Sequence, residues 1–105
     1  MIEADFFYNK NGDIYGFTIK NHGVSIVCAA VSALSINTVN AFKVFTRYET
    51  ELNFNEKGGL IRLVSPAVKS GAVCALSRVL FGSLKTGLEG IGGEYPNNLI
   101  IRVAP

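Results

Sequence analysis

The run NHGVSIVCAAVS, residues 21–32, marks the point where an extended pattern ends and a helical pattern begins. It contains His22, the only histidine of the chain, and Cys28, one of two cysteines. We expect His22 to lie on the loop that follows a strand, and Cys28 to lie in the first turn of a helix. Ser25 is the expected N-cap of this helix, because a serine side chain accepts a hydrogen bond from a free backbone N–H group there.

Two strands joined by a hairpin are predicted before this run. Residues 2–8 and 13–20 are rich in β-branched, aromatic and other apolar side chains, which favour strands. Between them lies Asn11-Gly12, and this dipeptide tolerates the positive φ angles that tight hairpin turns require.

The helix that contains Cys28 is predicted over about residues 26–47. Apolar side chains recur there at steps of three and four residues and therefore share one face. The members of this stripe are Val27, Val31, Leu34, Thr38, Phe42 and Phe45.

A second hairpin and a last strand follow from the same kind of pattern. Residues 51–55 and 60–65 flank a turn that contains Gly58-Gly59. Residues 98–103 are rich in apolar and β-branched side chains and predict the last strand.

A second helix is predicted between them, from Pro66 to about Glu89. Ser65 is a good N-cap, proline suits the first helical position, and the glycine-rich run 90–93 is expected to end the helix. Cys74 would then lie in the middle of the helix as a packing residue. The predicted apolar stripe consists of Val68, Ala72, Leu76, Val79, Leu80, Leu84 and Leu88.

The resulting order is ββαββαβ, which predicts an α+β sandwich with a mostly antiparallel sheet and two helices. A chain of 105 residues is expected to form one domain, residues 1–105. Its formal net charge is +2 and it has no block of lysine or arginine, so we expect no direct binding of nucleic acid.

We expect a cytoplasmic protein with no membrane segment and no cofactor. The first five residues carry two acids and no basic residue, unlike a signal peptide. No apolar run reaches the length of a membrane span. In a reducing compartment Cys28 and Cys74 are expected to be free thiols, and two cysteines with one histidine fall short of a four-ligand zinc site.

Cys28 and His22 together could supply a nucleophile and a base. A helix N-terminus and a nearby imidazole both favour the thiolate, which is the nucleophilic form of cysteine. Each residue also has a structural interpretation, Cys28 as a small hydrophobic side chain and His22 as a solvated loop residue. Ser32 follows Cys28 by one helical turn and could orient the site or be an ordinary helix residue. The residues alone leave these alternatives open.

The segment that starts at His22 and continues through IVCAAVS, residues 26–32, resembles the signature of the ribosomal-processing cysteine protease family Prp. The resemblance extends over most of the chain, including the first strand, the Asn-Gly hairpin and the Gly-Gly turn. It implies a compact α+β fold, usually dimeric, with Cys28 as the nucleophile and His22 as the base. Ser32 belongs to the same pattern.

Three features differ from the family pattern. Only residues 23–27 separate His22 from Cys28, where many members have a longer, glycine-rich loop. Ser25 stands where Asp is usual, and Asn21 stands where Gly is usual. We expect Ser25, together with the serine one turn after Cys28, to support the site.

The resemblance implies a cysteine endopeptidase that removes a short N-terminal extension from a large-subunit ribosomal protein during ribosome maturation. The expected partners are that peptide and a second copy of the chain in a homodimer, with Phe42, Phe45 and Tyr48 as candidate surface residues. Two alternatives remain open: a non-catalytic, ribosome-associated binding module, and a structural homodimer with the same fold.

Overall fold

The fold contains five strands and three helices. The computed structural model describes residues 1–104. The strands are β1 (Ile2–Tyr8), β2 (Ile14–Lys20), β3 (Glu51–Asn55), β4 (Leu60–Val64) and β5 (Leu99–Ala104). The helices are α1 (Ser25–Phe45), α2 (Pro66–Lys69) and α3 (Ala75–Glu94). The α+β class is as predicted, but the order is ββαββααβ, with three helices instead of two.

The strands form one sheet in the order β3-β4-β2-β1-β5. Neighbouring strands are antiparallel, except for β1 and β5, which are parallel. The sheet is therefore mixed, and it is mostly antiparallel, as predicted, since three of its four strand pairs are antiparallel. Apolar alternation along a strand identifies its buried face but does not show which strand lies beside it or in which direction.

The predicted strand bounds agree with the structure to within one residue. The first hairpin forms as expected, with Gly12 at a φ of 82°. The side-chain oxygen of Asn9 accepts hydrogen bonds from the backbone N–H groups of Asn11 and Asp13, at 2.9 Å and 3.0 Å. These bonds fix the turn locally, which is why its sequence predicted it well.

The core lies between one face of the sheet and the two long helices. Phe81 of α3 stacks on Phe42 of α1, with ring centroids 5.2 Å apart. Phe81 also meets Phe17 of β2 edge-on at 6.2 Å. Phe42 is fully buried, so its predicted place on a dimer surface is wrong, whereas Phe45 is exposed and Tyr48 is partly buried.

The predicted second helix is divided into α2 and α3. Ser65 caps α2 as expected, its side chain accepting a hydrogen bond from the N–H of Val68. Gly71, with a φ of 107°, then interrupts the helix. Cys74 is the N-cap of α3 and not a mid-helix packing residue, because its sulfur accepts a hydrogen bond from the N–H of Ser77 at 3.4 Å.

The division at Gly71 also changes which side chains α3 buries. The buried residues are Ser77, Phe81, Leu84 and Leu88. Leu76 and Val79, predicted on the apolar stripe, are exposed. The helix continues through the glycine-rich run to Glu94, because packing of this segment against the sheet overrides the low helix propensity of glycine.

α1 is, among residues 1–104, the one helix long and apolar enough to cross a membrane by length and composition. The prediction that no apolar segment reaches the length of a membrane span is therefore wrong. The small polar residues of α1 do not lower its mean hydropathy enough. In the structure Val27, Val31, Val39 and Phe42 of this helix are buried in the core. The core helix of a folded domain satisfies the same criterion.

Candidate active site

His22 and Cys28 lie on the short connection between β2 and α1. Asn21 turns the chain with a φ of 74°, and His22 follows it on the surface. Cys28 lies at the beginning of α1 and is partly buried. Both side chains line one cleft, with a volume of about 260 Å³. The structure therefore brings together the two residues that the sequence predicted as a pair.

The cleft combines an apolar lining with a few polar groups. It opens between α1 and the β3–β4 end of the sheet. Its apolar lining includes Ile19, Val31, Ile36, Phe54, Leu60 and Ile61. Its polar lining includes Ser32, Asn55 and Glu56 beside the histidine and the cysteine. A cleft of this composition can hold an extended peptide while polar groups orient it.

The sulfur of Cys28 is held by the backbone of Gly23. The Gly23 N–H group donates a hydrogen bond to Sγ at 3.1 Å. The thiol in turn is directed at the Gly23 carbonyl oxygen, 3.4 Å away. One backbone group donates to the sulfur and one accepts from it, so the two contacts fix the position of Sγ beside the first turn of α1.

His22 is anchored on the other side of the cleft, by the turn between β3 and β4. Its Nε2 lies 3.2 Å from the backbone carbonyl oxygen of Lys57. Within residues 1–104, His22 and Cys28 are hydrogen-bonded to different backbone groups and not to each other. In this conformation the two residues share the cleft without a hydrogen bond between them, which is common before substrate binds.

Ser25 lies at the first position of α1, whereas Ser32 lies two turns further on and lines the cleft. Ser25 is the first residue of α1, not its N-cap, so the predicted cap is wrong; the cap position belongs to Val24. A valine side chain cannot accept a hydrogen bond, so the first turn of α1 has no side-chain cap. Ser32 is exposed and lines the cleft, as its spacing from Cys28 predicted.

The uncapped first turn leaves backbone donors near the cysteine. The Cys28 N–H is bonded to the Val24 carbonyl at 3.0 Å. The N–H groups before it have no intrahelical acceptor, as at any helix start. These groups can stabilise an oxyanion close to the sulfur.

The site offers little to a metal ion. Within residues 1–104, no three His, Cys, Asp or Glu side chains come together in a way that could hold one. Cys28 and Cys74 are free thiols, as expected from the sequence. The chemistry available here is that of a thiol, an imidazole and backbone donors.

Sequence reasoning missed one part of the site, the β3–β4 turn. The sequence predicts only a turn at Gly58-Gly59, and the contact between Lys57 of this turn and His22 spans 35 residues of sequence. The sequence signals a turn at Gly59, because glycine tolerates a positive φ. It does not show that the turn lies against His22, because that contact depends on how the strands pair.

Comparison with known families gives one match over most of the chain. The model of the family described as cysteine protease Prp matches residues 1–100. The ribosomal processing cysteine protease Prp of Bacillus subtilis strain 168 is 31% identical, over 94% of each chain. The protein of the same name from Staphylococcus aureus strain Mu50 is 27% identical, over 94% of this chain and 95% of that one.

Solved structures share the fold. The essential ribosomal processing protease Prp from S. aureus, in complex with a covalently linked product peptide, superimposes with a TM-score of 0.87 at 24% identity. The match covers 99% of this chain and 100% of that one. SMU.848 from Streptococcus mutans has a TM-score of 0.81 at 27% identity, covering 98% and 93% of the two chains.

Proposed function

The chain belongs to the Prp family of cysteine proteases, and we propose that it removes a short N-terminal extension from a large-subunit ribosomal protein during ribosome maturation. Curated relatives named ribosomal processing cysteine proteases support this substrate. The observation that carries the assignment is the Cys28 sulfur at the start of α1, bonded by the Gly23 N–H and sharing a cleft with His22.

The proposed reaction is acyl transfer through a thioester. His22 takes the proton from the Cys28 thiol, and the thiolate attacks the scissile carbonyl carbon. The tetrahedral intermediate collapses to a thioester while His22 gives its proton to the leaving amine. Water, activated by the same imidazole, then hydrolyses the thioester and frees the enzyme.

Charge on the carbonyl oxygen needs donors close to the sulfur. The backbone N–H groups of the uncapped first turn of α1 are the proposed oxyanion donors. Ser25 contributes one of them through its backbone N–H, and the hydroxyl of Ser32, which lines the cleft, is proposed to bind the substrate backbone. These are supporting roles, so Ser25→Ala should leave the rate unchanged, and Ser32→Ala should slow the reaction less than removal of the thiol.

Cleavage of the natural substrate class tests this function directly. Large ribosomal subunits are purified from cells depleted of the protease, incubated with the purified chain, and their protein N-termini are read by mass spectrometry. We expect one large-subunit protein to lose a short N-terminal peptide. Cys28→Ser and His22→Ala should abolish the cleavage, and Cys74→Ser, which retains an N-cap acceptor for α3, should not.

A second readout separates catalysis from binding. In a Cys74→Ser background, alkylation of Cys28 by iodoacetamide should slow several-fold when His22 is replaced by alanine. If no ribosomal protein is cleaved, but Cys28→Ser cells still mature their ribosomes, the chain is a ribosome-associated binding module. If the chain neither cleaves a ribosomal protein nor takes part in ribosome maturation, it is a structural homodimer.

We also propose that the chain acts in the cytoplasm as a homodimer. Phe42–Phe81 stacking and the approach of Leu34 to Gly87 make α1 and α3 an antiparallel pair. Exposed apolar side chains gather at one end of this pair. They form what we call the apolar patch: Val44, Phe45, Val73, Leu76 and Val79. Apolar side chains concentrated in this way favour burial against a second copy.

A further inference from the structure

The β3–β4 turn lies directly against the candidate general base. The Lys57 carbonyl oxygen is 3.2 Å from His22 Nε2. The next carbonyl, that of Gly58, accepts a hydrogen bond from the N–H of Asn21 at 3.2 Å. Two successive carbonyls of one turn therefore hold two successive residues of the catalytic loop.

The turn is itself rigid. The side-chain oxygen of Asn55 accepts hydrogen bonds from the N–H groups of Lys57 and Gly58, at 3.1 Å and 3.3 Å. The Gly59 N–H closes the turn on the Glu56 carbonyl at 3.1 Å. A carbonyl held in this way keeps its direction, so the group that bonds to it is oriented as well.

Gly59 shows how closely the turn and the loop fit. Its φ is +61°, and a Cβ atom added there would lie 2.6 Å from the Asn21 carbonyl oxygen and 3.0 Å from the Cε1 atom of His22. Any side chain at residue 59 must displace the loop or the imidazole. The position is thus limited to glycine by backbone conformation and by space at once.

We propose that the β3–β4 turn is the orienting group of the catalytic histidine, with the Lys57 carbonyl in the role that a carboxylate or amide side chain holds in a catalytic triad. This rests on the proposed function of Cys28 and His22. A carbonyl oxygen only accepts hydrogen bonds, so the neutral imidazole carries its proton on Nε2 and leaves Nδ1 basic.

The proton balance of the first step follows from this tautomer. The S–H bond of Cys28 breaks and an N–H bond forms at Nδ1, giving a thiolate and an imidazolium. The imidazolium keeps its Nε2–H bond to the Lys57 carbonyl, which stabilises the positive charge. Lys57 and Gly59 are positioning residues in this scheme, since neither touches the reacting atoms.

Nitrogen-15 spectroscopy of the single histidine tests the tautomer without any substrate. The full chain is labelled at histidine and studied at a pH where the imidazole is neutral. We expect Nδ1 to resonate as an unprotonated nitrogen and Nε2 as a protonated one. A proton on Nδ1, or the mixture of tautomers that a free imidazole shows, would overturn the proposal.

Gly59→Ala provides the functional arm, with Gly12→Ala as its matched control. Both glycines have positive φ, but a Cβ at residue 12 meets nothing within 4 Å. Both variants place a Cβ at a positive φ, but Gly59→Ala should lose more thermal stability, because its Cβ also meets the Asn21 carbonyl oxygen. Only Gly59→Ala should populate the tautomer with the proton on Nδ1. We expect kcat for peptide cleavage to fall on the order of 100-fold in Gly59→Ala, with KM little changed.

The two arms separate the two hypotheses. A wild-type chain that cleaves nothing but carries the imidazole proton on Nε2 alone contradicts the proposed function and retains the oriented histidine. If the Gly59→Ala and Gly12→Ala variants cleave the substrate equally well, the protease function is retained and the orienting role of the turn is contradicted.

Discussion

Asn21 adopts a left-handed backbone conformation immediately before His22, the proposed general base. Its N–H is bonded to Gly58, and its side-chain amide donates to the carboxylate of Glu3. Asparagine tolerates this region better than other residues with a side chain. The usual glycine at this position of the family pattern is explained by the same φ angle, because glycine has no Cβ to clash.

Substitutions at Asn21 should therefore sort by backbone tolerance. Asn21→Gly should change the free energy of unfolding by less than about 0.5 kcal/mol, because the exposed bond to Glu3 is worth little. Asn21→Val should cost about 1–2 kcal/mol, since a β-branched residue is strained at positive φ. Urea denaturation measures both, and equal stability of the two variants would contradict this explanation.

At the scale of elements, the first turn of α1 combines a structural weakness with a functional use. Val24 has the extended backbone of an N-cap but no side-chain acceptor, and the first turn has no acidic residue. The free N–H groups lower the stability of the helix and are available to an oxyanion. Capping them should therefore trade activity for stability.

Val24→Asp tests this trade. The aspartate side chain should accept a hydrogen bond from a first-turn N–H and stabilise the fold by about 1 kcal/mol. The same change should lower the rate of peptide cleavage, because it occupies donors and adds negative charge beside the cysteine. Thermal unfolding and kcat are measured on the same sample, and a gain in both would show that these N–H groups do not act in catalysis.

α3 contains glycines that its packing does not need. A Cβ at Gly82 or Gly90 would meet nothing within 4 Å, whereas one at Gly92 would lie 3.1 Å from the side chain of Ile101. Gly82→Ala and Gly90→Ala should each raise the free energy of unfolding by about 0.5–1 kcal/mol through helix propensity. Gly92→Ala should gain less or lose stability, and equal gains at all three sites in thermal denaturation would contradict the observed packing.

The helices also show where local sequence signals stop being sufficient. Ser65 and Pro66 predicted the start of α2 correctly, because a cap depends only on neighbouring residues. The break at Gly71 and the continuation of α3 to Glu94 were not predicted. The break follows the positive φ at Gly71, whereas the continuation of α3 depends on packing against β5, which lets a glycine-rich run lie within a helix.

At the scale of the whole molecule, the sheet brings distant segments together. β5 lies in parallel beside β1, where Arg102 donates hydrogen bonds to Asp5 and Glu3. Both hydrogen bonds raise the pKa of Arg102, and the bond to Asp5 has the larger effect. The site is built in the same way, since strand pairing brings the β3–β4 turn to His22. The cysteine–histidine pair was predictable from the seven positions 22–28, but the turn that holds the histidine was not.

The proposed homodimer is also a property of the whole molecule, and the apolar patch gives it a testable interface. Val79 is 66% exposed within the patch, and Val103 is 65% exposed on β5, outside it. Val79→Lys should shift sedimentation from dimer to monomer, because a charge cannot be buried unpaired in an apolar interface. Val103→Lys adds the same charge at the same exposure and should remain a dimer. A wild-type chain that sediments as a monomer at all concentrations, or a Val79→Lys variant that remains dimeric, would contradict this interface; loss of the dimer in Val103→Lys alone would move it to β5.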